Sequence, residues 1–391
     1  MRKYADDQER TIRVKRLVDE WTASGLIDAT QHGRIAAGLD VDLRRTNRFL
    51  RLTLFTFGLL IIAASVGLVG VTLDVNAATA AGTLCLMAAA VSAVLAETLI
   101  NRFRVYRFGV EEACAVSAAV LAAGGSGMIA GAWPGVTSGD RQIFVALVVG
   151  SAAAFAVYRR YGYVYAAVGA MLCAGLAPFQ LDLSDVVQRL LAAAILGGCF
   201  FGARLKRRKY GDEFPGDEQG TIQASAWLGM YATLNLHLPL PLMTPPLASP
   251  FYWCTYAMIW ILPAIGLWLS ICERDRPLLH ASLVAGLATL LMNKPYLAVA
   301  RKPWDPILFG LLLIGVAMLL RRWLASGDHG SRHGFTARRL VRSDTDTRAA
   351  VAITAAAFHV TPTHPPADPS SPDPFKGDGG RSGGAGAGGS F

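Results

Sequence analysis

From residue 52 to residue 324 the chain is a series of apolar runs, each about the length that crosses a bilayer, joined by short polar connections. In hydrocarbon every backbone N–H and C=O must be satisfied without water, which leaves helices or a closed barrel. Runs of this length select helices. They read as ten spans at residues 52–73, 77–100, 113–133, 143–158, 163–181, 186–203, 221–238, 251–271, 278–292 and 307–324, the fourth and ninth rather short. The expected fold class is therefore all-α: a polytopic transmembrane helical bundle of about ten spans in residues 49–325. A small N-terminal cytoplasmic helical hairpin precedes it (residues 1–48), and a tail follows it (residues 326–391).

With 53% apolar and only 17% charged residues, the chain is too hydrophobic for an ordinary soluble domain. The net charge of +9 is not a nucleic-acid signal, because the basic residues stand beside the spans, where they orient a membrane protein. One set of connections carries Arg102, Arg104 and Arg107, then Arg159 and Arg160, then Arg204 to Lys209, then Arg274 and Arg276, then Arg321 and Arg322. The opposite set carries Asp74, then Asp140 with Arg141, then Asp182 and Asp185. The positive-inside rule places both termini in the cytoplasm of a bacterial inner membrane. The polar first 51 residues lack the basic tip and apolar stretch of a signal peptide, in keeping with that orientation.

A basic-aromatic-Gly triplet recurs as Arg107-Phe108-Gly109, Arg160-Tyr161-Gly162 and Lys209-Tyr210-Gly211, each time ahead of an outward-going span. Two readings stay open: duplicated helical hairpins, or a positive-inside cation, an interfacial aromatic and a loop glycine meeting at the same depth. Gly127-x-x-x-Gly131 and Gly198-x-x-x-Gly202 offer small faces for close helix approach. Pro263 should bend the eighth span.

Ahead of the core, Val14, Leu17, Val18 and Trp21 share a helical face, Ser24-Gly25 ends that helix, and Asp28 with Gln31 forms a capping-box pattern for a second one. A hairpin of this size cannot bury a core of its own and needs a partner, another copy or the membrane face. The segment Leu17-Val18-Asp19-Glu20-Trp21-Thr22-Ala23-Ser24-Gly25-Leu26-Ile27-Asp28, followed by a helix and serial spans, resembles the N-terminus of bacterial membrane proteins of domain-of-unknown-function 2157. The resemblance implies a multi-pass inner-membrane protein and brings no catalytic residue with it.

Ionisable groups near membrane depth are the candidate sites, since lipid makes them costly. Glu97, Glu111 and Glu112 lie close in sequence to Arg102 and Arg107; they form either a carboxylate cluster for protons or a cation, or interfacial ion pairs. Asn235 and His237 close the seventh span as a polar site or as a helix end reaching water. The connection at residues 293–306 is basic on the side where the others are acidic. Lys294, Arg301 and Lys302 with Trp304 and Asp305 make it a cationic mouth for an anion or headgroup, or an interfacial helix with a capped tenth span. The six cysteines have no Cys-x-x-Cys pair, so buried free thiols are expected. In the tail, residues 336–360 can form a helix, and the Pro- and Gly-rich remainder reads as disordered.

No nucleotide, metalloprotease or hydrolase motif is present, and no cofactor is implied. Three functions follow. The first is a small-solute transporter or permease, which requires polar residues near the bilayer midplane, a region that reads as apolar here. The second is a scaffold or regulatory partner acting through the N-terminal hairpin, the tail or a homo-oligomer. The third is a membrane enzyme for an anionic or lipid-linked substrate, built on the basic connection with Asn235 and His237.

Overall fold

A helix forms at each of the ten apolar runs. The computed structural model describes residues 4, 6–23, 25–39, 43–44, 46–133, 139–210, 215–238, 249–273, 275–297, 304–326, 331–332 and 335–336. Two helices come first, α1 (Asp6–Ala23) and α2 (Ala29–Ala37). Then follow α3 (Arg48–Thr72), α4 (Ala78–Phe103), α5 (Val110–Gly131), α6 (Gly139–Tyr161) and α7 (Val164–Leu176), the last running into a 3-10 turn, Ala177–Gln180. The rest are α8 (Asp185–Tyr210), α9 (Pro215–Leu234), α10 (Pro250–Glu273), α11 (Arg276–Tyr296) and α12 (Asp305–Ala325). Among the described residues six of these, α3, α4, α5, α6, α8 and α10, are long and apolar enough to cross a membrane. The short fourth and ninth runs both belong to longer helices, of 23 and 21 residues. Beyond α12, Ser331–Arg332 pairs antiparallel with Phe335–Thr336. The expected tail helix begins in that pairing, and the remainder of it lies outside the described residues.

The start of the chain follows its turn chemistry. Gly25 takes φ +72°, the left-handed backbone expected where Ser24-Gly25 ends a helix. Asp28 accepts from the Gln31 amide at 2.7 Å while the Gln31 side chain accepts from the Asp28 amide at 3.0 Å, so both capping-box bonds form. The face α1 buries differs from the expected one. Glu9, Ile12 and Val18 are buried, while Trp21 is exposed.

Consecutive helices pack side by side, α4 on α5, α5 on α6, α6 on α7, α8 on α9 and α10 on α11, and α9 also packs on α11. Contact between α4 and α5 is backbone to backbone: a Cβ on Gly82 would stand 2.7 Å from the Gly125 carbonyl oxygen, and a Cβ on Gly125 would stand 2.7 Å from that of Gly82. Gly127 and Gly131 press on Gln142 of α6, as a small-residue face should. Gly198 and Gly202 do not; nothing lies within 4 Å of where their side chains would start. Large apolar side chains such as Leu52, Leu68, Val94, Leu205 and Trp268 are exposed around the bundle, the surface that lipid solvates.

The recurrent triplet is a turn device. Gly109 and Gly162 both have positive φ, +114° and +75°, which L side chains rarely adopt. Gly109 also touches α3, since a Cβ there would stand 2.3 Å from the Arg51 carbonyl oxygen. Gly211, in the third copy, lies outside the described residues. Gly109→Ala should therefore lower stability by about 2 kcal/mol or more, from strain and steric clash together, whereas Gly198→Ala should be neutral. Thermal unfolding of the two variants in detergent checks the contrast.

Candidate functional site

At the end of the bundle where the basic connections meet, the carboxylates singled out by sequence separate to different partners. Glu112 opens α5 and is buried; Arg51 of α3 donates from Nε to its Oε2 at 2.7 Å and from Nη2 to its Oε1. Glu111 folds back on its own helix start and accepts from the amides of Phe108 (2.7 Å) and Gly109 (3.1 Å). Glu97 reaches α6, where Arg160 Nε donates at 2.6 Å and the Tyr161 hydroxyl at 3.2 Å. Arg107 covers the Tyr106 ring and stands 3.7 Å from Glu218 of α9, while Arg102 is exposed. Proximity in sequence thus does not become a shared carboxylate cluster. Two of the three tie their helix to a neighbour, Glu112 to α3 and Glu97 to α6, and Glu111 caps its own helix.

The same layer continues through the second half of the bundle. Arg204 binds Glu273, and Arg207 binds the buried Asp275. Gln219 donates to the Tyr158 hydroxyl at 2.7 Å. Helix α1 is part of this layer. Arg13 pairs with Glu218 at 2.6 Å, the Tyr106 hydroxyl donates to Glu9 at 3.2 Å, and the Tyr4 hydroxyl donates to the Val105 carbonyl at 3.3 Å. Burial raises the pKa of the Tyr4 and Tyr106 hydroxyls, so both stay protonated and able to donate.

The interior of the second half is polar along its length. On α9, Gln219, Gln223, Trp227, Tyr231 and Asn235 recur every fourth residue and continue just past the helix end; all five are buried. On α11 the spacing is seven: Asp275, Ser282, Thr289 and Tyr296, again all buried. Steps of four or seven keep residues on one side of a helix, so each helix carries a polar stripe. The stripes meet as a seam of successive rungs. Asp275 lies beside Gly220, Trp227 and Ser282 converge on Gly266 of α10, the Tyr231 hydroxyl is 2.9 Å from Thr289 Oγ1, and the Leu236 amide donates to the Tyr296 hydroxyl at 2.7 Å. Residue numbers rise together along both helices, so α9 and α11 run parallel, with α10 returning between them in sequence.

The end rungs are bonded and the middle is not. Both amide atoms of Gln223, Trp227 Nε1 and Ser282 Oγ are buried with no hydrogen-bond partner, as is Asp275 Oδ1 nearer the basic end. An orphaned buried polar group costs about 1–3 kcal/mol. Four such atoms from three side chains on two helices mark a place where water or a small solute fits the chemistry.

At the opposite end, Asn235 donates to the Tyr231 hydroxyl at 3.0 Å and accepts from the His237 amide at 3.1 Å; His237 Nε2 stands 3.0 Å from the Tyr252 hydroxyl. The Tyr252 hydroxyl donates to the Tyr296 carbonyl at 2.9 Å, and the Tyr256 hydroxyl to Asn293 at 2.8 Å. The residues predicted there do meet the end of α11, inside an aromatic network. Lys294, read from the sequence as part of a cationic mouth or of an interfacial helix with a capped tenth span, is bound to Asp305 at 2.5 Å and fastens α11 to the start of α12. Trp304 precedes α12 and is exposed. Arg301 and Lys302 lie outside the described residues.

Arg189 escaped sequence reasoning. It lies one turn into α8, is 1% exposed, and donates from Nη1 to the Thr233 carbonyl at 3.0 Å. Its signal was an Arg inside an apolar run, as plain as that of Glu97. A separate cleft of about 350 Å³, lined by Arg51, Leu52, Phe55, Glu112 and Tyr165, contains no seam residue, and its two charged groups bind each other. Among the described residues no three His, Cys, Asp or Glu side chains are grouped to hold a metal. All six cysteines are free; Cys114 is buried, whereas Cys254 and Cys272 are exposed rather than buried.

Arg51→Met leaves the Glu112 carboxylate buried and unpaired and should cost about 3 kcal/mol, while the double change with Glu112→Leu should recover most of it. Thermal unfolding of both variants measures the difference. Searches against protein-family models, curated proteins and solved structures return no match to this chain.

Proposed function

We propose that the protein is a multi-pass bacterial inner-membrane permease that passes a small polar solute along the seam between α9 and α11. The observation carrying this reading is the set of buried, unpartnered polar atoms at Gln223, Trp227 and Ser282. A chain that only needed a closed core would place apolar groups there, because apolar replacement removes the desolvation cost. In this reading α7 with its 3-10 turn, α9, α11 and α12 cross as well, giving ten spans. Helices of 20 and 21 residues, α9 and α11, are about 30 Å long at 1.5 Å per residue, the thickness of the hydrocarbon. Their hydropathy is lowered by the stripes and by polar residues near their ends, Asp217 and Glu218 on α9 and Arg276, Asn293 and Lys294 on α11.

The basic end faces the cytoplasm by the positive-inside rule, which places α1 and α2 there with the tail. Kinship with the domain-of-unknown-function 2157 proteins fits this layout. The scaffold reading describes the α4–α5 half, where glycines close the core, better than the α9–α11 half. The enzyme reading needs a free Lys294, and Lys294 is held by Asp305.

Two measurements test the proposal. Reporter fusions after Leu297 and after Ser326 should read periplasmic and cytoplasmic respectively; the same side for both would remove α12 as a span. In proteoliposomes challenged osmotically with a panel of small polar solutes, at least one should pass faster than through empty vesicles. Ser282→Leu should slow it about tenfold, because it puts apolar bulk where Ser282 and Trp227 already crowd Gly266. No protein-dependent solute movement, or full movement in the Ser282→Leu variant, refutes it.

A further inference from the structure

Among the described residues, each buried carboxylate has a charged or hydrogen-bonding partner, whereas the buried Arg189 has no opposite charge against it. Glu112 has Arg51, Asp275 has Arg207, Glu218 has Arg13, Asp305 has Lys294, and Glu111 has two backbone amides. Arg189 is as buried as any of them, yet no carboxylate forms an ion pair with it, and its Nε has no hydrogen-bond partner. Asp185, one turn earlier on α8, is an electrostatic neighbour that forms no salt bridge with it. A guanidinium does not shed its proton in a protein, so the remedy open to a buried carboxylic acid is closed to it. What it lacks is a negative charge.

Its position connects that need to the seam. Thr233, which accepts from Arg189 Nη1, lies between Tyr231 and Asn235 at the far end of the α9 stripe. Inward from there, the atoms without partners include three donors, the indole N–H of Trp227, the Gln223 amide nitrogen and the Ser282 hydroxyl, and two acceptor oxygens, Gln223 Oε1 and Asp275 Oδ1. The one carboxylate on the seam, Asp275, is neutralised by Arg207 at the opposite end. Beside these groups the uncompensated cation of Arg189 favours a negative solute over a positive one at the far end of the seam. The close approach of Trp227 and Ser282 at Gly266 limits that solute to a few atoms.

We infer that Arg189 is the binding site for a small monovalent anion at the far mouth of the seam, and that the solute carried is of this class. The inference rests on the permease reading for the word "carried" but not for the binding site. A rival role is plain in the geometry: Arg189 also caps the C-terminal carbonyls of α9, whose helix dipole supplies a partial negative charge.

The experiment separates these. The full-length protein in detergent is unfolded thermally across a chloride series, with gluconate, too large for the site, holding ionic strength constant. Ligand binding to the folded state should raise the midpoint by about 3 °C at saturating chloride. Arg189→Gln should fold with a lower midpoint and lose the chloride response. Arg189→Lys keeps the charge without the planar fork, and should shift the chloride midpoint about tenfold higher; it serves as the informative variant where Arg189→Gln does not fold. Absence of any chloride response over gluconate in the wild type, or an unshifted response in Arg189→Lys, makes Arg189 a helix cap only and overturns the inference. Chloride uptake into proteoliposomes then distinguishes the two proposals. Binding without uptake removes the permease and leaves the site, while passage of a neutral solute without chloride binding removes the site and leaves the permease.

Discussion

Lipid offers no hydrogen bonds, so each polar atom that enters the bundle must be answered by another protein atom. That constraint separates the ends of this molecule from its middle. At the basic end, donors and carboxylates from α1 and from seven of the helices α3 to α10 form pairs, with Arg51, Arg160 and Arg204 each crossing to a different helix and Arg207 reaching Asp275 just ahead of α11. At the far end, tyrosine hydroxyls do the same through Tyr231, Tyr252 and Tyr296. Between the two layers the α9–α11 seam leaves Gln223, Trp227 and Ser282 unmatched. The ends are not free of such atoms, since Asp275 Oδ1 and Arg189 Nε also lack partners, but the centre of the seam concentrates them.

The two halves of the bundle solve the packing problem differently. In α4, α5 and α6, glycines at positions 82, 125 and 127 bring backbones into contact, so that van der Waals packing joins the helices between their ends, with the Glu97–Arg160 pair at the basic end. In α8 to α11 larger side chains fill the space, with Phe200, Tyr231, Ile259 and Leu278 fully buried, and hydrogen bonds contribute to the association. The first arrangement resists opening because any separation leaves voids.

Helix positions were legible in the sequence because they rest on local rules. Run length placed all ten apolar helices, and Ser24-Gly25 with Asp28 and Gln31 placed the turn and cap between α1 and α2. Side-chain partners rest on three-dimensional adjacency. Glu97, Glu111 and Glu112 are close in sequence but leave in three directions, while Arg13 and Glu218 are 205 residues apart and touch. The seam was written in the sequence as intervals of four on α9 and seven on α11, yet averaging hydropathy over a whole run erases such intervals: one polar residue per turn reads as a slightly weaker span. An apolar midplane was therefore the expectation, and the polar rungs are what the average concealed. Arg189 was hidden the same way, one charge diluted by the apolar remainder of α8.

Helix α1 shows how a segment too small for its own core acquires a structure. Its buried face is mixed, with Ile12 and Val18 in apolar contact and Glu9 and Arg13 bonded to Tyr106 and Glu218. Glu218 precedes Gln219, the first residue of the α9 stripe, and it also faces Arg107 of the α4–α5 connection. The N-terminal helix, the Gly109 turn and the first turn of α9 therefore share one carboxylate. Displacing the first turn of α9 must break the Arg13 pair or carry α1 with it. The triplet Arg107-Phe108-Gly109 supplies both halves of this joint. Its glycine lets the chain turn against α3, and its arginine reaches across to the helix that begins the seam.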